Sequence, residues 1–318
     1  MLAPIALFCY KRLDVLIETV EALKKNELSS KSDIIIFSDG YKTEDDKSDV
    51  EAVREYLKSI EGFNSKKIIE APKNRGLANS IIAGVSEVVE KYGKVIVIED
   101  DILTSPYFLN YMNDALDMYE KDDEVACISG YTYPIKTKEQ SFFIKKGECW
   151  GWATWKRAWE IFEPDGQTLL DMLKSKNLTK EFDYDDSYPF TQMLQDQIDK
   201  KNDSWAIRWS ASVFLKNKLC LQLGKPVAKN IGFGVKGSTH CVNGESAYNV
   251  NLNKGRIKLE KIPIKESEIL RNKFAMFFKR MTGKISGNFL LSKEKKDNLR
   301  IITLLGIFKI KYNKNREV

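Results

Sequence analysis

The chain has no apolar run that approaches the roughly 20 residues needed to span a bilayer. The apolar stretch at residues 2–9 is far shorter and leads directly into a strand–helix pattern. We therefore expect a core strand there rather than a signal peptide. These features predict a cytoplasmic protein, and they leave open a peripheral attachment to the inner face of the cell membrane.

Cysteine and histidine are scarce. The five cysteines are odd in number and none forms a Cys-x-x-Cys pair, so we expect a reducing compartment and no disulfide framework. The only histidine, His240, comes just after a glycine-rich segment at residues 232–237. A lone histidine is more often a surface or core residue than a ligand, although imidazole also suits Mn²⁺.

Acidic residues are scarce in the last fifth of the chain. Residues 254–318 hold 18 Lys/Arg and 6 Asp/Glu, whereas residues 1–253 hold 33 Lys/Arg and 39 Asp/Glu. This asymmetry predicts a body at 1–253 and a basic C-terminal extension that is attracted to a polyanionic surface. The amphipathic pattern at 269–281 allows either a helix packed on the body or a helix bound to an anionic membrane surface. No nucleic-acid-binding module is apparent, so we expect no nucleic-acid partner.

Strand and helix patterns alternate along the first hundred residues. The apolar runs predict strands at residues 3–9, 33–38, 67–70 and 94–98. Helical periodicity lies between these runs, and the βαβ alternation predicts an α/β fold with a Rossmann-like, mostly parallel central sheet flanked by helices. In sheets of this kind, ligands bind beyond the carboxyl ends of the strands.

The fourth predicted strand leads into three consecutive carboxylates, Glu99, Asp100 and Asp101. Helix capping explains one or two of them, but three like charges at the edge of a buried sheet repel one another. A divalent cation would remove this repulsion, and hard oxygen ligands suit Mg²⁺ or Mn²⁺. Arg12, after the first strand, is either a solvated arginine or a diphosphate contact. Asp39, after the second, either stabilises a turn or accepts hydrogen bonds from a base or ribose.

Four short motifs, in this order, resemble those of GT-A-fold glycosyltransferases. They are Tyr10-Lys11-Arg12, Ser38-Asp39-Gly40, Asn74-Arg75-Gly76-Leu77 and Glu99-Asp100-Asp101. Over residues 3–250 the chain is similar to family 2-type bacterial sugar transferases, and its EDD triplet more specifically resembles that of the N-acetylglucosaminyltransferase I group. The resemblance implies a GT-A catalytic domain at 1–253, with a nucleotide-sugar-binding half at 1–105 and an acceptor half at 106–253.

The resemblance also implies a role for each matching residue. Asp101 would bind Mn²⁺ or Mg²⁺, Asp100 would meet the ribose or a metal-bound water, and Glu99 would support the site. Asp39 would contact the nucleobase, commonly uracil, and Arg12 the diphosphate. The other donor-site residues would be Cys9, Tyr10, Arg75 and Gly76. Because the triplet is EDD rather than DxD, the division of labour among its acids stays open.

A base on the acceptor side is the next requirement, because an inverting transfer removes a proton from the acceptor hydroxyl opposite the leaving group. Asp196, in an amphipathic pattern at 188–201, is our first candidate, and the resemblance also implies a base on a helix at about this point. The alternative is an ordinary exposed helix acid. The weaker candidates are Asp185, Asp186, Asp199 and Asp203. By the same resemblance, His240 would be a late ligand of the metal or diphosphate.

Four tryptophans lie within residues 147–163, where core packing is the more usual role of such a cluster. Sugars, however, present C–H faces that stack on aromatic rings, and Gly151 would allow a close approach between Trp150 and Trp152. Because these two tryptophans alternate along the chain, we expect only one of them to face the cleft. The resemblance places this tract beside the donor sugar and the acceptor.

These features predict a metal-dependent glycosyltransferase. It would move a hexosyl or N-acetylhexosaminyl group from a nucleoside-diphosphate sugar, with UDP as the expected nucleotide, to a glycan or lipid-linked oligosaccharide in bacterial surface polysaccharide synthesis. Inversion is the favoured outcome. One alternative is a sugar nucleotidyltransferase, which would usually carry a glycine-rich loop that FCYKRL lacks. Another is a non-catalytic carbohydrate-binding protein on the same fold.

Overall fold

The first hundred residues alternate strand and helix, as their apolar pattern predicts. The computed structural model describes residues 1–235, 247–287, 291–296, 299–304 and 308–313. The elements of this first part are β1 (Ile5–Cys9), α1 (Leu13–Lys24), β2 (Asp33–Ser38), α2 (Lys47–Ser59), β3 (Ser65–Glu70), α3 (Leu77–Tyr92) and β4 (Lys94–Glu99). The four predicted strands are confirmed to within two residues at each end.

The rest of the chain has shorter strands and more irregular connections. Up to residue 230 its elements are β5 (Ile102–Thr104), α4 (Phe108–Met118), β6 (Val125–Ser129), β7 (Ser141–Ile144), β8 (Trp152–Trp155), α5 (Lys156–Trp159), α6 (Gly166–Ser175), α7 (Thr179–Phe182), α8 (Phe190–Ile198), α9 (Trp205–Leu215), β9 (Leu219–Leu223) and β10 (Ala228–Asn230). The C-terminal elements are α10 (Glu268–Met281), β11 (Ile285–Gly287), β12 (Leu291–Lys296), β13 (Leu299–Leu304) and β14 (Phe308–Asn313).

One eight-stranded sheet, in the order β3-β2-β1-β4-β8-β6-β9-β7, forms the centre of the fold. The first four strands of this order are parallel, whereas β8 runs antiparallel to both β4 and β6. All five residues of β1 are buried, as expected for a strand covered on both faces. The predicted α/β fold with a mostly parallel central sheet is therefore confirmed.

The neighbours of β1 decide where the site forms. Ile5 of β1 is level with Ile34 of β2 on one side and with Ile96 of β4 on the other. After β1 the chain continues to β2 on one side, and after β4 it continues to strands on the other side. This reversal creates a crevice at the carboxyl ends of β1 and β4. Gly93, in a left-handed conformation with a φ of 77°, ends α3 and lets the chain turn directly into β4.

The segment that follows residue 253 packs against the body of the protein. Ile257 is buried in the core under the central sheet. The apolar face of α10 enters a second core, where Leu270, Phe274 and Phe278 are each at most 1% exposed. This packing argues against a domain boundary at residue 253, since 257–278 complete both cores. It also favours the packed alternative for the 269–281 helix over the membrane-bound one.

Beyond α10, the strands β11, β12, β13 and β14 form an antiparallel sheet in sequence order. Within the ranges described here, no helix combines the length and the apolar character that crossing a membrane requires. The basic C-terminal charge is therefore carried partly by a packed helix and partly by this small sheet.

Replacing Phe274 with alanine tests the packing of α10. The ring makes edge contacts with Tyr133 at a centroid distance of 4.9 Å, and we expect Phe274→Ala to lower the free energy of unfolding by about 3–4 kcal/mol. Ile269→Ala on the same helix is the control: this side chain is 71% exposed, and its loss should cost less than about 0.5 kcal/mol. Urea denaturation measures both values, and equal values for the two variants would contradict the packing.

Candidate active site

Arg12 and the acidic triplet meet at the crevice between β1 and β4. Arg12 stands directly before α1, and Asp100 and Asp101 lie in the turn between β4 and β5. The Nη2 atom of Arg12 bonds to Oδ1 of Asp100 and lies 2.9 Å from Oδ2 of Asp101. Nε of Arg12 lies 3.4 Å from Oδ2 of Asp100. A single guanidinium therefore sits between both aspartates.

Neighbouring elements donate hydrogen bonds to the backbone carbonyl groups of Asp100 and Asp101. The Thr19 hydroxyl, on α1, donates a hydrogen bond of 2.8 Å to the carbonyl oxygen of Asp100. On the other side, the backbone N–H of Ile231 donates to the carbonyl oxygen of Asp101 at 2.8 Å. These bonds fix the aspartates against both walls of the crevice.

Burial and nearby negative charge raise the pKa values of Glu99 and Asp100. Burial raises the pKa of Glu99 to about 8, and the charges of Asp101 and Asp100 add to this effect. Burial also raises the pKa of Asp100 to about 6, against the opposing pull of Arg12. The raised pKa of Glu99 favours its protonated form, and one arginine faces the two aspartates.

One oxygen of the cluster has no partner among the described residues. Oδ1 of Asp101 is buried and accepts no hydrogen bond from them, which is costly for a carboxylate. A hard divalent cation would satisfy this oxygen, and Mg²⁺ commonly uses only one or two carboxylates beside phosphate oxygens. Among the side chains described here, no three His, Cys, Asp or Glu are grouped to hold a metal ion. The donor set thus fits a cation that is shared with a phosphate ligand, with Asp101 as its main protein contact.

Gly232 covers the ion cluster from the side of β10. A Cβ atom at this position would lie 2.1 Å from Oδ2 of Asp101 and 2.9 Å from Nη1 of Arg12. The antiparallel pairing of β10 with β5, in which Asn230 is level with Ile102, brings the backbone this close. Only glycine can therefore occupy position 232 without displacing the ion pairs.

Asp39 organises the loop that carries Arg75 and Gly76. Its Oδ1 accepts hydrogen bonds of 2.9 Å from the backbone N–H groups of Gly40 and Arg75. Its Oδ2 accepts from the backbone N–H of Gly76 at 3.0 Å and from Nδ2 of Asn74 at 3.1 Å. Four donors thus converge on one buried carboxylate, and the predicted contact with a nucleobase would have to be made in addition to them.

Cys9 and Tyr10, at the end of β1, have mainly structural contacts. Cys9 is buried, and its thiol lies 3.7 Å from the carbonyl oxygen of Phe37. The Tyr10 hydroxyl donates to Asp46 at 2.8 Å and accepts from the backbone N–H of Lys42 at 2.9 Å. Tyr10 thereby holds the loop after β2 close to the end of β1.

The two tryptophans of the predicted substrate tract point in different directions. Trp152 has no exposed surface and packs against Trp205 and Trp209, so its burial argues against direct contact with a sugar. Trp150 is half-buried and packs edge-on against Phe233, which follows Gly232. The expectation that only one of the pair faces the cleft therefore favours Trp150.

Gly151 allows a close approach, but within the protein. Its φ is 63°, and a Cβ atom there would lie 2.8 Å from Cβ of Ala228. Its carbonyl oxygen accepts a hydrogen bond of 2.7 Å from the backbone N–H of Gly130. Gly151 therefore lets β10 pack beside the tryptophan tract.

The candidate bases differ in their surroundings. Asp196, near the end of α8, accepts from Nε2 of Gln192 at 3.0 Å and pairs with Nζ of Lys201 at 3.3 Å, all on the partly exposed surface of that helix. Asp203, just before α9, lies near the loop that contains Gly76. Its Oδ2 atom would be 3.3 Å from a Cβ atom added to Gly76. Of the two acids, Asp203 is the one that the structure brings to a predicted donor-site residue.

Gly232 and Arg54 were not predicted as site residues, and Asp203 was a weaker candidate than Asp196. Arg54, on α2, donates to the carbonyl oxygen of Ala71 at 2.7 Å and to that of Asp39 at 3.3 Å. It thus holds together the ends of β2 and β3. Gly232 is visible in the sequence as part of a glycine-rich segment. Its closeness to Asp101, however, depends on the pairing of β10 with β5. His240 lies outside the described residues, so its predicted role stays a prediction.

The sheet and the crevice together define an α/β protein of GT-A type. Residues 5–171 match the sequence profile of Glycosyl transferase family 2. This match covers more than half of the chain, and the chain therefore belongs to that family.

Solved structures of glycosyltransferases are also similar to the chain. TarS from S. aureus has 13% identity and a TM-score of 0.32, over 46% of this chain and 25% of that one. TarS 1-349 in complex with UDP has 13% identity and a TM-score of 0.30, over 43% and 40%. Mannosyltransferase PcManGT from Pyrobaculum calidifontis, in complex with GDP-Man and Mn²⁺, has 10% identity and a TM-score of 0.34, over 68% and 70%.

The chain spans between a quarter and a half of the length of the TarS structures that it matches. A comparison with curated proteins found no match. The family assignment accordingly rests on the sequence profile.

Asp39→Asn tests whether this carboxylate builds the loop. The amide would place a donor against N–H groups, so we expect the free energy of unfolding to fall by about 2 kcal/mol. The backbone amides of Arg75 and Gly76 should also exchange hydrogen faster than in the wild type. Asp45→Asn, an exposed acid on the neighbouring turn, is the control and should change neither measurement. Unchanged exchange at residues 75 and 76 in the Asp39 variant would contradict the proposed role.

Proposed function

We propose that the chain is a metal-dependent glycosyltransferase that uses a nucleoside-diphosphate sugar, with UDP as the first nucleotide to test. The observation that carries this proposal is the cluster of Arg12, Asp100 and Asp101, with its unpartnered Asp101 oxygen, at the crevice of a family 2 fold. A positive side chain and a cation-seeking carboxylate at one point suit a diphosphate ligand.

The leaving diphosphate gains negative charge as the glycosidic bond to it breaks. Arg12 would bind its oxygens, and the adjacent N-terminus of α1 would also favour an anion there. Asp101 would hold Mn²⁺ or Mg²⁺, and the bound ion would stabilise the charge that develops on the leaving group. Asp100 would orient Arg12 and meet the ribose or a metal-bound water, and the protonated Glu99 would limit repulsion.

The donor's nucleoside would lie beside the loop that Asp39 holds. We propose that Asp39 contacts the base while Arg75 and Gly76 line the pocket. Cys9 and Tyr10 would shape its floor at the end of β1. The four hydrogen bonds that Asp39 already accepts would keep its carboxylate in place for this contact.

The acceptor would supply a hydroxyl of a glycan or lipid-linked oligosaccharide, in the synthesis of a surface polysaccharide. A carboxylate opposite the leaving group would remove its proton, with inversion at the sugar carbon. Both Asp196 and Asp203 are candidates for this base, and the contact of Asp203 with the Gly76 loop favours Asp203. Trp150 would offer its half-buried ring to a sugar face.

A location on the inner face of the cell membrane is part of the same proposal. Because the apolar face of α10 is buried, membrane association would depend on the basic charge of residues 254–318 rather than on this helix. An anionic leaflet that carries a lipid-linked acceptor would match that charge.

Asp101→Asn gives the primary test of donor binding. We expect calorimetry to detect Mn²⁺-dependent binding of UDP, GDP or dTDP by the wild type and at least about a hundredfold weaker binding by the variant, because a cation ligand is lost. Asp14→Asn, an exposed acid on the first turn of α1, is the control and should bind like the wild type. If the wild type binds none of these nucleotides with Mn²⁺, the proposed function is wrong.

Paired variants identify the base. We expect Asp203→Asn to keep Mn²⁺-dependent nucleotide binding and to lower transfer about a hundredfold or more, as expected for loss of a general base. Asp196→Asn should have a smaller effect, because that side chain pairs with Lys201 on the helix surface. Single-turnover transfer to a saccharide acceptor measures both rates. A large loss confined to the Asp196 variant would restore Asp196 as the base.

A further inference from the structure

Arg12 occupies the space between Asp100 and Asp101, the second of which is proposed to hold a divalent cation. Its side chain is only 18% exposed, and those of Asp100 and Asp101 are 6% and 10% exposed. Ion pairs that are shielded from water in this way are broken only at considerable cost. The arginine therefore provides positive charge to both aspartates.

Gly232 restricts the freedom of Arg12. The backbone at this residue lies so close that an added Cβ would be 2.9 Å from Nη1 of Arg12 and 2.1 Å from Oδ2 of Asp101. The pairing of β10 with β5 holds this backbone in place. Arg12 is thus confined between a wall formed by residue 232 and the two carboxylates.

A cation on Asp101 and the guanidinium of Arg12 repel each other at such short range. An anion placed between them removes this repulsion, and the diphosphate of a nucleotide donor is such an anion. Arg12 could then exchange its contact with Asp101 for phosphate oxygens, and Asp101 would be free to hold the cation. The unpartnered Oδ1 of Asp101 offers the entering cation a first contact.

We propose that Arg12 acts as a latch, defined by its contacts with Asp100 and Asp101, that keeps free divalent cations out until a nucleoside diphosphate arrives. This inference rests on the proposed function and adds to it an order of events. Cation and nucleotide enter together, each strengthening the binding of the other, because the coupling between two ligands is reciprocal. Arg12 is in this respect a positioning residue for the cation as well as a contact for the diphosphate.

Variants that change only the charge at position 12 test the latch. In the absence of nucleotide, we expect Arg12→Gln to bind Mn²⁺ about tenfold more tightly than the wild type, because a nearby competing charge is gone. Arg12→Lys keeps the charge and should bind Mn²⁺ about as weakly as the wild type. Arg271→Gln is the control. Arg271 lies on α10 and pairs with Asp185, so its replacement should leave Mn²⁺ affinity unchanged.

Two readouts avoid dependence on activity. Electron paramagnetic resonance measures free Mn²⁺ during titration, and thermal unfolding measures the stabilisation that Mn²⁺ gives to each protein. The second readout also applies to an unstable Arg12→Gln variant, whose midpoint should rise more with Mn²⁺ than that of the wild type. Adding UDP should raise Mn²⁺ affinity about tenfold or more in the wild type and much less in the Arg12→Gln variant.

The outcomes separate the latch from the proposed function. If the wild type binds UDP with Mn²⁺ but Arg12→Gln has the same or a lower affinity for Mn²⁺ alone, the latch is wrong and the proposed function stands. If the wild type takes up no Mn²⁺ even with UDP, GDP or dTDP, both are wrong. Tighter Mn²⁺ binding by Arg12→Gln, together with weak binding by Arg12→Lys, supports the latch.

Discussion

Asp100 and Asp101 share one half-buried arginine at the carboxyl ends of β1 and β4, and the site is arranged around this shortage of positive charge. Burial raises the pKa of Glu99, which favours the protonated form and lessens its repulsion of the aspartates. Asp100 is matched by Arg12, whereas Asp101 retains an oxygen without a partner. An additional cation with a phosphate ligand is the simplest way to complete such a cluster.

The fold explains why this cluster forms where it does. Since β1 lies between β2 and β4, the residue after β1 is placed beside the residues after β4. The small pairing of β10 with β5 then brings Gly232 over the ion pairs. On the other side, Asp39 gathers four donors from its own turn and the loop before α3. The donor side of the crevice is thus built from loops that polar contacts hold tightly.

Much of this arrangement could be predicted from the sequence, because parallel buried strands have a clear apolar pattern and their ends carry the polar motifs. The pairing of Arg12 with Asp100 and Asp101 could not, since it depends on which strands are neighbours. The antiparallel β8 and the contact of Gly232 also depend on pairing between distant segments. Charge composition suggested a boundary at residue 253, but the apolar residues Ile257 and Phe274 complete the cores of the body. The closeness of Asp203 to Gly76 could not be predicted either, because it depends on the fold.

A crystal structure of the protein with UDP and Mn²⁺ would test the central claim most directly. The account predicts Mn²⁺ on Asp101, with Arg12 turned from the aspartates to the diphosphate oxygens. If Arg12 still lies between Asp100 and Asp101 while Mn²⁺ and the diphosphate are bound away from them, the account is contradicted.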